Sequence, residues 1–419
     1  MIINVLIFAA GLLVYAGYGW AGMAYLAVAV LLSYGAALLN KRMRWLTWVC
    51  VALNTAMLLL LKLQSVTGLS LLAPLGISYF TLQIISYNVD VYRGKYEPER
   101  NLFRYALFVT YIPHLFIGPI ERYDTMRTAL EQRRITWDGI FEGAARALWG
   151  LLKKYVIAAR VGIIISAISG DPETYRGAYA LAAMLLYSVQ LYSDFSGGID
   201  MVLGLSKMLG ITMNENFDVP YLSESFQEFW RRWHITLGSW LREYVYIPLG
   251  GNRKGKVRKV LNLIVTFLVS GLWHGVEYLL WGLINGIFVA FGTKLKTKWK
   301  TVNQIGTFLL VTLLWSFFVW PDMITAAKMV GSVFTTFNYA DLAVQIGTMG
   351  LVLSDWIVLA VAVAVLWIYD VHRVKFHTWF GCRCPAGKTA AICILALIVL
   401  VFGVYGIGFN AEAFIYSRF

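Results

Sequence analysis

Long apolar runs alternate with short polar connections along the whole chain, and most of those connections are basic. About 20 apolar residues cross a bilayer as a helix. Candidate spans lie near 2–18, 23–39, 44–62, 72–91, 104–120, 146–168, 176–193, 260–292, 303–320, 346–370 and 388–408. The run 104–120 begins and ends at basic loops and contains Pro113 and Gly118-Pro119, which interrupt a helix. It reads as a re-entrant segment sheltered inside the protein. The run 260–292 is short for two full crossings and reads as two partial helices meeting around Trp273-His274-Gly275. The first twenty residues lack the basic start of a signal peptide and read as a retained span. The pattern predicts an all-α polytopic membrane protein of roughly 11–12 transmembrane and re-entrant helices.

Composition agrees. Hydrophobic residues make up 59% of the 419 positions and charged residues 14%, against about half and about a quarter in soluble domains. This excludes a disordered chain and a disulfide scaffold. The formal net charge of +13 does not signal nucleic-acid binding, because Lys and Arg sit between apolar runs rather than on a soluble surface. Lys41, Arg42 and Arg44 place the second connection, and with it the N-terminus, in the cytoplasm. SGDPETY at 169–175 reads as external, and the long polar stretch 194–259 as cytoplasmic. The last span then runs outward and leaves the C-terminus outside the cell. The four cysteines form no zinc-ligand set, and no metal site is expected.

Two segments carry candidate chemistry. In 220–251, Phe226, Phe229, Trp230, Trp233 and Trp240 interleave with Arg231, Arg232 and Arg242 at amphipathic spacing. By periodicity this is an interfacial helix, with His234 one of its aromatic members. In 270–288, His274 interrupts an apolar run. An ionisable residue at membrane depth is a functional candidate, although a neutral imidazole bonded to a helix carbonyl fits the same pattern. Gly271, Gly275, Gly282 and Gly286 recur at spacings that permit close helix contact.

Read together, these segments resemble the membrane-bound O-acyltransferase family, in its bacterial subgroup of alginate and peptidoglycan O-acetylases and teichoic-acid D-alanyl transferases. The likeness rests on PLGISYFTLQIISYNVDVYRG at 74–94, IPHLFIGPIERYD at 112–124, LYSDFSGGIDMVLGLSKMLGI at 191–211, EFWRRWHITLGSWLREYVYIPLGGNRKG at 228–255 and SGLWHG at 270–275. The resemblance implies a ring of helices around a central tunnel, a catalytic histidine at His274 and a second family histidine at His234. It also implies an acyltransferase core over 1–387 and a terminal helix with an extracellular acceptor tail over 388–419. The end FIYSRF resembles an acceptor motif of the acetylase members, which makes Tyr416 the residue that holds the acyl group as an ester.

The chemistry follows. An imidazole, whose ordinary pKa is about 6.5, can act as general base on a hydroxyl. The resemblance implies no permanent cofactor but an acyl thioester co-substrate, acetyl-CoA foremost and an acyl-carrier protein as the alternative. Arg231, Arg232, Arg242, Trp230 and Trp273 are candidates for holding it, with Arg253 and Lys254 adding positive charge, although each basic residue fits the ordinary excess of a cytoplasmic face. By the same resemblance, an extracytoplasmic serine-hydrolase-like (SGNH) partner passes the acyl group to a polysaccharide. Two rival readings stand beside this: D-alanyl transfer to teichoic acid, and a membrane transporter.

Overall fold

The computed structural model describes residues 2–68, 73–113, 117–292 and 297–405. The described residues are helical without a β-strand, and their one isolated bridge joins Phe217 and Trp233. Among the described residues, five helices are long and apolar enough to cross a membrane: Trp20–Leu39, Trp45–Lys62, Lys300–Val319, Leu353–Gly381 and Pro385–Phe402. Together with the shorter apolar helices these indicate a multi-pass membrane protein. The chain divides into two units.

The first unit holds the chain up to Ile135, Leu209–Glu215 and Thr236–Gly282. Its helices are α1 (Ile2–Tyr18), α2 (Trp20–Leu39), α3 (Trp45–Lys62), α4 (Ile77–Tyr92), α5 (Leu102–Val109) and α6 (Tyr123–Gln132). From Ile77 to Val91 every residue of α4 is buried, the polar ones included. An unpaired polar group in such surroundings costs several kcal/mol, and several groups in and around this helix are bonded. Asn88 Nδ2 donates to Ser33 Oγ and to the Ile84 carbonyl. The Tyr87 hydroxyl accepts from the Glu99 N–H at 3.0 Å. Two tryptophans donate to carbonyls of the same helix, Trp240 Nε1 to Leu82 at 2.8 Å and Trp273 Nε1 to Ser78 at 3.1 Å. The run 104–120 carries the short α5, capped by Asn101, and its described residues around Gly118-Pro119 are irregular.

The second unit holds Thr136–Met208, Asn216–Ile235 and the chain from Leu283 onward. Here α7 (Trp137–Leu151) passes through a wide π-helical turn at Leu152–Ala158 into α8 (Ala159–Gly170) and packs on α9 (Ala178–Met208). Two glycine pairs make that contact. A Cβ on Gly143 would lie 2.5 Å from the Gly204 carbonyl oxygen, and one on Gly150 would lie 2.4 Å from that of Gly197. Within the wide turn, Lys153 Nζ lies 2.7 Å from Asp200 Oδ2 and donates to Ser196 Oγ at 2.8 Å. Arg146 also binds Asp200, and Lys154 binds Asp194.

These ion pairs account for one correction to the sequence reading. The span expected over 176–193 continues to Met208, and the polar stretch expected from 194 begins inside it. Asp194, Ser196 and Asp200 read as an exit from the membrane, but the lysines of the neighbouring helix neutralise the two aspartates and bond Ser196, and the helix runs on.

Replacing Gly150 or Gly197 with Leu is therefore expected to cost about 1–3 kcal/mol or more by overpacking. Gly306, in the helix Lys300–Val319, has open space at its Cβ, and Gly306→Ala should stabilise by about 0.5–1 kcal/mol. Thermal melts of the detergent-purified variants check both signs.

Candidate active site

His274 ends α12 (Gly255–His274), which follows α10 (Phe226–Arg232) and α11 (Ile235–Leu241) along the chain. The chain then makes one tight turn at Val276–Tyr278 and returns as α13 (Leu279–Phe291), the break expected around Trp273-His274-Gly275. Gly271 and Gly282 allow the return. A Cβ on Gly271 would meet the Tyr278 carbonyl oxygen at 2.5 Å, and one on Gly282 would meet that of Phe267 at 2.4 Å. Trp273, bonded to Ser78 and edge-on to Tyr79, fixes the end of α12 within the first unit.

The imidazole of His274 is half-buried. It stands edge-on to Trp273, Trp281 and Tyr278, with ring centres at 4.8, 5.6 and 6.3 Å. Trp281 is only 2% exposed. The result is a titratable ring in an aromatic surround at the carbonyl end of a helix, an end that favours positive charge. The arrangement suits a group that takes up a proton briefly and gives it back.

His234 has a different setting, within the second unit. Ser225 caps α10 (Phe226–Arg232) by accepting from the Glu228 N–H, and Glu228 reaches back to the Glu224 N–H. After Arg232 the chain runs antiparallel to 216–218: Asp218 N–H donates to the Arg232 carbonyl at 2.9 Å, and Ile235 N–H to that of Asn216 at 3.0 Å. Among the described residues, the two non-glycine residues in the left-handed region, Val219 (φ 46°) and His234 (φ 47°), both lie here. Such backbone costs about 1–3 kcal/mol and persists only where its surroundings impose it.

His234 is 3% exposed, edge-on to Phe195 at 4.8 Å, with Nδ1 donating to Asn216 Oδ1 at 3.2 Å. Burial pushes the imidazole down to about 3. The ring is therefore neutral at ordinary pH, a hydrogen-bonding group rather than a base.

The remaining candidates divide. Arg231 and Arg242 are exposed, as are Arg253 and Lys254. Arg232 is engaged, with Nη2 2.7 Å from Glu228 Oε1. Trp230 packs against Phe229 and Trp315 at 5.4 and 6.1 Å, and Trp273 against Tyr79 and His274. Tyr416 lies outside the described residues.

Sequence reasoning passed over the charged groups that gather the shared motifs. In the first unit Arg122 pairs with Glu243 at 3.3 Å, and both Arg122 and Arg93 lie over the Tyr244 ring. Lys95 bridges Asp90 and Asp124. The buried Glu121 accepts from the Asn214 backbone and side chain, and burial raises its carboxyl. Acids and bases set directly against apolar runs, as in IERYD and LREY, were the available signal.

Because His234 is protonated in the unfolded chain from about pH 6.5 downward but in the fold only near 3, it lowers stability as pH falls across that window. His234→Asn, which tolerates left-handed backbone, should show a flatter loss of stability between pH 6.5 and 4. Parallel melts of the two proteins across that range measure the difference.

Residues 45–336, more than half of the chain, match the family model of the membrane-bound O-acyltransferases. The chain is 43% identical over 271 residues to a protein of Pseudomonas syringae named a probable alginate O-acetylase, covering 63% of this chain and 52% of that one. It is 34% identical to a peptidoglycan O-acetyltransferase of Helicobacter pylori, with 62% and 56% covered. It is 28% identical to a teichoic acid D-alanyltransferase of Streptococcus thermophilus, with 62% and 67% covered. The chain thus spans about half the length of the O-acetylating relatives it matches. His234, His274, Glu121 and Arg122 all fall within the matched segment, and the chain belongs to the membrane-bound O-acyltransferase family.

Proposed function

We propose that this protein is an O-acyltransferase that moves an acyl group, acetyl foremost, from a cytoplasmic thioester towards an extracytoplasmic polysaccharide. The observation that carries the reading is His274, a half-buried imidazole held between aromatic rings at the break of a helical hairpin. His234, neutral and buried, is too weak a base to share that role near neutral pH and acts as a positioning residue.

In the proposed reaction His274 removes the proton from the Tyr416 hydroxyl as its oxygen attacks the thioester carbonyl. The tetrahedral intermediate collapses with cleavage of the C–S bond, and the imidazolium returns the proton to the departing thiolate. The products are a tyrosyl ester and a free thiol. Arg231 and Arg242, both exposed, supply positive charge for the phosphates of acetyl-CoA. A serine-hydrolase-like partner outside the membrane then moves the acyl group to the polysaccharide. The names of the alginate and peptidoglycan O-acetylases support an acetylated glycan as the end product.

The D-alanyltransferase relative supports a second reading, with an aminoacyl thioester on a carrier protein as donor. Incubating purified protein with labelled acetyl-CoA, and in parallel with a labelled D-alanyl carrier thioester, separates the two by intact mass and peptide mapping. Acetyl label on Tyr416 is expected, reduced about 10²–10⁴-fold in His274→Ala and absent in Tyr416→Phe. Label from the D-alanyl donor alone would replace acetyl by aminoacyl transfer. If Tyr416→Phe modifies the glycan in cells as wild type does, the tyrosyl ester is wrong.

A further inference from the structure

A cleft of about 530 Å³ opens in the first unit between α1, α5 and α6, with no part in the reaction proposed above. Arg104, Arg127 and Arg133 line it, with Glu131 as the one carboxylate among the lining residues. Glu131 Oε1 is shared between two of them, at 2.9 Å from Arg104 Nη1 and 3.1 Å from Arg127 Nε. Three guanidinium groups against one carboxylate leave the walls at +2. The nearby Glu99 is already bonded to Tyr123 and to the Asn101 N–H.

The third arginine is not part of that pairing. Nη1 of Arg133 is buried and has no hydrogen-bond partner among the described residues, and the same holds for Oδ1 of Asn4 on α1. Leaving a buried polar atom unbonded costs about 1–3 kcal/mol, more when it is charged. A half turn of the Asn4 amide presents its NH₂ in place of the oxygen, so both side chains can donate to an anion. Phe103 and Tyr123 give the cleft an aromatic wall.

The geometry points to a phosphate-binding site, in which Arg133 and Asn4 donate to phosphate oxygens and Arg104 and Arg127 supply the surrounding positive charge. Two sources offer this chemistry. One is the headgroup of an anionic phospholipid, for which the exposed Ile2, Val5 and Leu6 on α1 provide an apolar approach. The other is a soluble phosphate.

Binding to the detergent-purified full chain is tested in two arms, one with short-chain phosphatidylglycerol against phosphatidylcholine and one with inorganic phosphate, read as thermal shift and as native mass. Arg133→Gln should weaken binding about tenfold or more. Glu131→Gln raises the charge of the walls and should tighten it, whereas damage to the fold would weaken both variants alike. A shift with phosphatidylglycerol alone assigns the site to lipid, and a shift with inorganic phosphate assigns it to a soluble ligand. If neither probe binds, or if both substitutions change binding in the same direction, there is no phosphate site in this cleft.

Discussion

Charges and hydrogen-bonding groups buried in an apolar protein must meet partners of their own, and much of this structure is arranged around that requirement. In the first unit α4 is enclosed on all sides although it carries Ser78, Gln83, Asn88 and Asp90. The N–H groups of Trp240 and Trp273, which donate to its carbonyls, bring later parts of the chain against it. In the second unit Lys153 and Lys154 are adjacent in sequence and serve different carboxylates, Asp200 and Asp194. The wide turn at Leu152–Ala158 lies where both lysines meet α9.

Close approach of backbones is the second element. Gly271 and Gly282 bring the two arms of the hairpin together beside His274, and the glycine pairs 143/204 and 150/197 do the same for α7 and α9. At His234 the order is reversed: a backbone that an L-residue seldom adopts is imposed by two hydrogen bonds between paired segments. One histidine therefore sits at the end of a regular helix, and the other within a strained turn. Their chemistry differs accordingly. The first keeps partial exposure, while the second is buried and stays neutral.

Much of this was legible in the chain. Apolar periodicity located the helices, including the break at Gly275, because a glycine beside an isolated histidine is a visible interruption. The close contact of Gly271 with the returning arm was also readable from spacing. The extent of α9 was not, because Asp194 and Asp200 look like residues bound for water unless their lysine partners, some 40 positions earlier, are known to face them. The ladder of glycines seven residues apart on two separate helices was missed for the same reason, as each half has meaning only against the other. Of the site, the two histidines stood out by type and setting. The engagement of Arg232 by Glu228 and the left-handed backbone of His234 belong to geometry that no single-residue pattern carries.

The ionic contacts between α7–α8 and α9 make each segment dependent on the other. A lysine or aspartate at mid-bilayer costs about 2.5–3.5 kcal/mol on insertion scales, so the segment bearing Lys153 and Lys154 is a poor lodger in lipid by itself. The segment bearing Asp194 and Asp200 is in the same position. Joined by a connection of a few residues between Gly170 and Ala178, the two neutralise one another as they meet. Each helix thus supplies the counter-charges that the other would lack in an apolar surround.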